Sequence, residues 1–217
     1  GTTTTASSSS PVSVDLGAGR TAAAIATGSS HTCAILDDSS LYCWGTNTYG
    51  QLGDGTTNDS FTPVAVNLPS GRTASSVSLG YQHTCALLDD SSLYCWGIGT
   101  SGQLGDGTIT MGSSTPVQVS LPSGRTASSV AAAASHTCAV LDDGSVYCWG
   151  YNGYGQLGDG TNTDSTSPVT VNLPSGRTAS SMDASGYHSC AVLDNGSAYC
   201  WGRGQRGQIG DGSEFHS

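Results

Sequence analysis

The chain reads as an all-β protein, a β-propeller built from four four-stranded blades, and three observations predict it. A cysteine pair ten positions apart returns four times, in "HTCAILDDSSLYCWG" from His31, "HTCALLDDSSLYCWG" from His83, "HTCAVLDDGSVYCWG" from His136 and "HSCAVLDNGSAYCWG" from His188. The first cysteines of the pairs stand 52, 53 and 52 residues apart, a period that belongs to propellers and solenoids. Glycine supplies 31 of 217 residues, only 10% are charged, lysine is absent and Glu214 is the single glutamate, so turns and strands are favoured over helices.

Every repeat presents its parts in one order. A run of small residues such as "TASSVSLG" comes first, then the strand "HTCALL", a turn, the strand "LYCWG", a loop "GQLGDGT" and a closing strand "TPVAVNLPSGR". Four extended segments divided by glycine and proline are what one blade requires. The innermost runs, "TAAAIATG" and "SSVAAAAS", are small enough to crowd near an axis. Apolar residues make up 36% of the chain, so its core is divided among small repeated units.

The turn fixes the register. Gly144 and Gly196 stand third in the loops of "LDDGSV" and "LDNGSA", where a three-residue hairpin needs a left-handed residue; Ser39 and Ser91 hold that place in the first two copies at some conformational cost. If Leu36 pairs with Ser40 through hydrogen bonds, alternation sets Cys33 against Cys43 at a non-hydrogen-bonded site, where two strands come closest. The same count opposes Cys85 to Cys95, Cys138 to Cys148 and Cys190 to Cys200, so each blade is expected to carry its own disulfide, worth about 3 kcal/mol in the chain-entropy model. Zinc ligands usually include a pair two to four residues apart, which a separation of ten does not match. His31, His83, His136 and His188 lie two residues before a cysteine on the same strand face and are expected in the core, their ring nitrogens bonded to backbone. Locally paired cysteines imply an extracellular or other oxidising compartment.

The segment "SPVSVDLGAGRTAAAIA" from Ser10 matches "TPVAVNLPSGRTASSVS" from Thr62, and the repeat series ends in "GQIGDG" at Gly212. The N-terminal segment is therefore expected to complete the fourth blade, either within one chain or by exchange in a homodimer of eight blades; a stretch of a longer array is the third arrangement. Residues 1–212 form one domain of four repeats of about 52 residues, and "SEFHS" at 213–217 departs from the repeat and is set aside as an extraneous tail. No stretch has the length of a membrane span, and the opening "GTTTTASSSSPVSV" lacks the basic and apolar regions of a signal peptide, so an exported protein is expected here in mature form. The net charge of −10 repels nucleic acid and anionic membrane surfaces.

The unit "HTCALLDDSSLYCWG", followed by "GQLGDGT" and "TPVAV", resembles the RCC1 (regulator of chromosome condensation) repeat, in which His, Ala-Leu, Trp-Gly, Gly-Gln-Leu-Gly and Pro-Val recur in this order. The match spans residues 10–212. The resemblance implies a propeller of four-stranded blades, usually seven, so the four repeats here depart from the family's count. The paired cysteines depart as well, because the best-known members work inside the cell with reduced thiols. Members exchange nucleotide on a small GTPase, bind chromatin, sense ultraviolet light or, in a secreted form, inhibit bacterial β-lactamase, and fold alone does not choose among these. An acidic chain with paired cysteines disfavours the first two.

Most candidate site residues occupy repeated positions. Asp54, Asp106, Asp159 and Asp211 of "GQLGDG" and "GQIGDG", with Asn58 and Asp59 near the first, could hold calcium, but the second repeat lacks the extra oxygens and a structural loop is the stronger reading. Trp44, Trp96, Trp149 and Trp201 are expected to pack between blades. Arg20, Arg72, Arg125 and Arg177 of "GRTA" could ring an anion, yet strict repetition favours pairing with nearby aspartates or carbonyls. Asn58 and Asn195 fall in glycosylation sequons, Asn195 inside a tight hairpin. Tyr49, Tyr81, Tyr151, Tyr154 and Tyr187 do not recur strictly, and varied positions are where an asymmetric binding surface must be written. Four near-equivalent histidines offer no distinct catalytic base. The chain thus reads as a non-enzymatic, secreted binding or scaffold module without metal or cofactor, recognising protein or glycan through blade loops; a secreted enzyme inhibitor is the alternative and a hydrolase the remote third.

Overall fold

The computed structural model describes residues 7–212, which carry fifteen strands in four antiparallel sheets and no helix. The first blade holds β1 (Ala22–Thr27), β2 (His31–Leu36), β3 (Leu41–Gly45) and β4 (Ser60–Ala65). The second holds β5 (Ala74–Leu79), β6 (His83–Leu88), β7 (Leu93–Gly99) and β8 (Thr110–Gln118), and the third β9 (Ala127–Ala132), β10 (His136–Leu141), β11 (Val146–Gly150) and β12 (Ser165–Thr170). The fourth holds β13 (Ala179–Ser185), β14 (His188–Leu193) and β15 (Ala198–Gly202). Strands follow chain order within each sheet, and the small-residue strands β1, β5, β9 and β13 lie innermost, successive ones in contact. Ala131, Ala133 and Ala184 pack together there, as the run of alanines requires.

The hairpin chemistry sets the register as the sequence predicts. The Leu36 amide donates to the Ser40 carbonyl at 2.9 Å, and Ser39 and Ser91 adopt φ of 63° beside 75° at Gly144 and 81° at Gly196. Cys33 then stands opposite Cys43, and the same alignment recurs in the other sheets. All four disulfides are present, Cys33–Cys43, Cys85–Cys95, Cys138–Cys148 and Cys190–Cys200, with Cα atoms 4.0 to 4.1 Å apart, and they suggest an oxidising compartment. The glycine after each tryptophan has φ between 96° and 111°, and a Cβ on Gly45 would fall 2.5 Å from the Ser30 carbonyl. In the first three blades the register with the outer strand shifts between the second cysteine and this glycine, β4, β8 and β12 carrying the extra residues.

A blade has two apolar faces and buries them only against its neighbours. Cys33, Ile35, Leu41, Cys43 and Leu52 of the first blade pack on Ala74, Ala86, Leu88 and Trp96 of the second, and homologous clusters join the second to the third and the third to the fourth. No comparable packing joins the fourth blade to the first among the described residues. Ile35, Leu87 and Val140 are 4%, 7% and 3% exposed, whereas their counterpart Val192 is 41% exposed; at the other end Ile25 is 64% exposed. The blades therefore form an arc with two open end faces. Closure by the N-terminal segment is not seen among the described residues: β15 pairs with β14 alone, residues 11–17 form no strand, and Asp15, Leu16 and Gly17 share a shallow pocket with Tyr42, Thr62 and Pro63 of the first blade. With the end faces apart, β15 has no first-blade neighbour to deliver that segment.

A polar relay threads each blade boundary. Thr84 donates its hydroxyl proton to the Gln51 carbonyl at 2.8 Å, so the Nε2 of His31, 2.8 Å from the same hydroxyl oxygen, must be the protonated nitrogen. The Trp96 indole also donates to the Gln51 carbonyl, at 3.0 Å. His83, Thr137, Gln103 and Trp149 repeat the set, as do His136, Ser189, Gln156 and Trp201. His31, His83 and His136 are core residues as expected, but their partner is a hydroxyl of the next blade rather than backbone, because that hydroxyl already spends its proton on a carbonyl; His188 is half-buried.

Burial holds the rings of His31 and His136 neutral down to about pH 4 and that of His83 to about 3, against an ordinary value of 6.5. The unfolded chain binds more protons as pH falls, so this stability is complete above about 6.5 and is lost at about 1.4 kcal/mol per pH unit for each histidine on the way to about 4. Asp38, Asp90 and Asp143, whose carboxyls are lowered by hydrogen bonds from Ser40, Ser92 and Ser145, lose their contribution only below the ordinary carboxylate value and lie outside this window. Thermal unfolding is expected at a lower temperature near pH 5 than near pH 7, and less so in His83→Gln; equal midpoints would contradict neutral buried rings. Cys190 and Cys200 are half-buried, whereas the other six cysteines are fully buried. Mild reductant on the folded single chain is expected to expose Cys190 and Cys200 to alkylation first, read by peptide mass; uniform labelling would contradict the greater exposure of the fourth-blade face.

Candidate functional site

The loops opposite the disulfide hairpins carry the variation between blades. One position holds Thr46, Ile98, Tyr151 and Arg203 in turn, a second Tyr49, Ser101, Tyr154 and Arg206, and a third Ser30, Gln82, Ser135 and Tyr187. The backbone is the same at each: the amides of Thr46, Ile98, Tyr151 and Arg203 donate to the carbonyls of Ser30, Gln82, Ser135 and Tyr187 at 2.8 to 2.9 Å. A constant scaffold thus presents changing side chains.

At the third and fourth blades these positions converge. The ring centroids of Tyr151 and Tyr154 are 6.2 Å apart, those of Tyr151 and Tyr187 6.0 Å, and those of Tyr154 and Tyr187 5.5 Å, all edge-on or tilted. The Arg203 guanidinium lies 5.1 Å from the Tyr154 centroid and 6.0 Å from that of Tyr187, within cation–π range. With Ser101 and Ser135 they line a depression of about 390 Å³. Arg203 donates from Nε and Nη2 to the Gln205 side-chain oxygen at 3.0 and 2.8 Å and has no ion pair among the described residues. The result is a rigid aromatic wall with one unneutralised cation, suited to an apolar group flanked by a carboxylate or carbonyl.

Three of the five tyrosines singled out by sequence therefore meet. Tyr49 stands on the first blade's loop, and Tyr81 lines the concave inner surface with Ala132, Ala133 and Ala184. Attention to the tyrosines alone misses Arg203; its signals are that it shares the varied position of Tyr151 and that it and Arg206 alone among six arginines lie outside the "GRTA" position.

The other candidates are structural. Asp54, Asp106 and Asp159 each accept from the amide and hydroxyl of the threonine two residues on, at 2.9 to 3.0 Å. Asn47 and Asn152 add a brace, each side-chain amide reaching its loop aspartate and each side-chain oxygen accepting from Leu52 or Leu157. Arg20 bonds Asp37 at 3.1 Å and also Asp38, Arg72 and Arg125 reach Asp90 and Asp143 at 2.8 and 2.7 Å, and Arg177 reaches Asp194 at 3.4 Å. Trp96 and Trp149 are fully buried, and Trp44 and Trp201 half-buried. Asn195 is bound into its hairpin by the Ser197 amide, while Asn58 is exposed. No three His, Cys, Asp or Glu side chains converge as metal ligands among the described residues.

Comparison with known proteins agrees with this architecture. The sequence pattern of the RCC1-like domain matches residues 1–217. The chain is 35% identical over 188 residues to the ultraviolet-B receptor UVR8 of Arabidopsis thaliana, covering 87% of this chain and 42% of that one. It is 31% identical over 191 residues to the E3 ubiquitin-protein ligase HERC2 of Homo sapiens, covering 87% of this chain and 4% of that one. The chain thus spans less than half the length of these relatives. Yeast RCC1 (Prp20), solved with Kap60 bound, superposes with a TM-score of 0.80 at 24% identity over 92% of this chain and 47% of that one. Human WBSCR16 gives 0.80 at 23% identity over 88% of this chain and 50% of that one, and both share the fold.

Proposed function

We propose, on the premise that the chain belongs to the RCC1-like domain family, that it is a non-enzymatic binding or scaffold module that engages a protein partner through the loops of the third and fourth blades. The convergence of Tyr151, Tyr154, Tyr187 and Arg203 on one depression carries this reading. Tyrosine and arginine are the side chains that dominate protein interfaces, because they bury large, rigid area and keep a polar end. A partner segment with an apolar side chain beside a carboxylate would fill the tyrosine wall and neutralise Arg203. The relay histidines support a non-catalytic role, since His31, His83 and His136 are buried in equivalent bonds and none stands over the depression. The four disulfides support an extracellular setting for this recognition.

Selection of a random peptide library on the oxidised chain tests the proposal. Enriched peptides are expected to pair an acidic residue with an apolar one, and Arg203→Gln or Tyr154→Ala to weaken their binding by roughly tenfold or more, with Tyr49→Ala near wild type. No enrichment, or equal loss in Tyr49→Ala, would overturn it. Binding confined to a glycan panel would replace the protein partner by a carbohydrate.

A further inference from the structure

One further repeat position serves the tyrosine depression without lining it. Equivalent places in the four loops hold Thr48, Thr100, Gly153 and Gln205, and the two threonines are exposed. In the third and fourth blades each departure acts on the residue two places before it. A Cβ on Gly153 would fall 2.6 Å from Cζ of Tyr151 and closer still to its hydroxyl, so the phenol lies across the bare backbone of its own loop. The φ of Gly153 is outside the left-handed region, so the missing side chain supplies space rather than conformation. On the fourth blade the Gln205 side-chain oxygen accepts from Nε and Nη2 of Arg203 at 3.0 and 2.8 Å and holds the guanidinium beside the rings of Tyr154 and Tyr187. Arg20, Arg72, Arg125 and Arg177 are instead held by aspartates, in a chain with sixteen acidic residues. A guanidinium has five N–H groups; Gln205 occupies the Nε–Nη2 edge, and the Nη1–Nη2 edge keeps two parallel donors that match the oxygens of one carboxylate.

We propose that Gly153 and Gln205 are the positioning residues of this site, and that the neutral Gln205 brace reserves the Nη1–Nη2 edge of Arg203 for one ligand carboxylate seated beside an apolar group on the tyrosine wall. This assignment rests on the third- and fourth-blade loops being a recognition site. A glutamate at position 205 would hold the guanidinium in the same place, but it would cancel the charge that a ligand carboxylate needs. A methyl group at position 153 would drive the Tyr151 ring off its loop and out of contact with Tyr154 and Tyr187. Shape and charge of the site are thus set by two residues that stand at one repeat position and touch only the wall.

Nuclear magnetic resonance of the oxidised chain, alone and titrated to millimolar concentration with N-acetylphenylalanine or its uncharged amide, tests both parts. The free wild type is expected to show a resolved Arg203 Nε–H cross-peak and ring-to-ring contacts from Tyr151 to Tyr154 and Tyr187, and to bind the acid roughly tenfold more tightly than the amide. Gln205→Glu is expected to keep the cross-peak yet bind the acid roughly tenfold or more weakly, which a merely structural role for residue 205 would not produce. Gln205→Ala is expected to lose the cross-peak and Gly153→Ala the Tyr151 contacts, both with lower affinity for the acid and an unchanged thermal midpoint. Thr48→Ala, at the same repeat position on the first blade, is expected to match the wild type. Undiminished acid binding by Gln205→Glu, a persistent cross-peak in Gln205→Ala or intact Tyr151 contacts in Gly153→Ala would each overturn the inference. A wild type that binds acid and amide equally would overturn the carboxylate assignment alone. One that binds neither would overturn the recognition site as well, while the spectra of the free variants still decide whether Gly153 and Gln205 position Tyr151 and Arg203.

Discussion

The structure depends on the fact that no blade can bury its own faces. A sheet of three or four short strands, rich in alanine and serine, has too little apolar volume to form a core, so water is excluded only when the next sheet lies over it. Boundary residues therefore do two tasks at once: the disulfide and its flanking Ile35, Leu87 or Val140 supply apolar area, while the His–hydroxyl–carbonyl relay fixes lateral position. Apolar contact alone would let two flat sheets slide. A buried imidazole that must find one hydroxyl does not allow it, because an unmatched donor in that layer would cost about 1–3 kcal/mol.

Constancy at the boundaries frees the loops at the opposite end to differ. The same backbone bond from residue 46, 98, 151 or 203 holds each loop, whatever side chain it carries. Threonine, isoleucine, tyrosine and arginine are interchangeable there for folding, so recognition can be altered without touching the core. The hairpin end is spent differently, with Arg20, Arg72, Arg125 and Arg177 each paired to aspartates of their own blade. Those exposed pairs contribute little individually, about 0–1 kcal/mol, but they leave Arg203 and Arg206 as the cations outside that ring.

What can be read in the sequence follows from how local the cause is. Strand alternation and a three-residue turn are properties of fifteen consecutive residues, so the opposition of Cys33 and Cys43 and the left-handed Ser39 are legible in the residues alone. The Arg20 contact with Asp37 and Asp38 is legible for the same reason, since strict repetition implies a partner inside the repeat. The recipient of the histidine proton is not legible, because Thr84 lies 53 residues from His31 and meets it only when two blades dock. Tyr151, Tyr154, Tyr187 and Arg203 all stand at positions that vary between repeats; their meeting is not legible, because it brings Arg203 beside rings from two different blades. Closure of the fourth blade is the expectation least constrained by local rules, and it is the one the described residues do not display.

The short span of each disulfide has a consequence for how the molecule is made. Eight cysteines admit roughly 105 pairings, and a chain that oxidised at random would spend most of its time in wrong ones. Here every cysteine has its mate ten residues away across a single tight turn, so correct contact is met long before any competing sulfur from another hairpin. During vectorial synthesis one hairpin can be sealed before the following pair has emerged. Oxidative maturation of this repeat thus needs little reshuffling, and the array can lengthen by whole units without adding to the pairing problem.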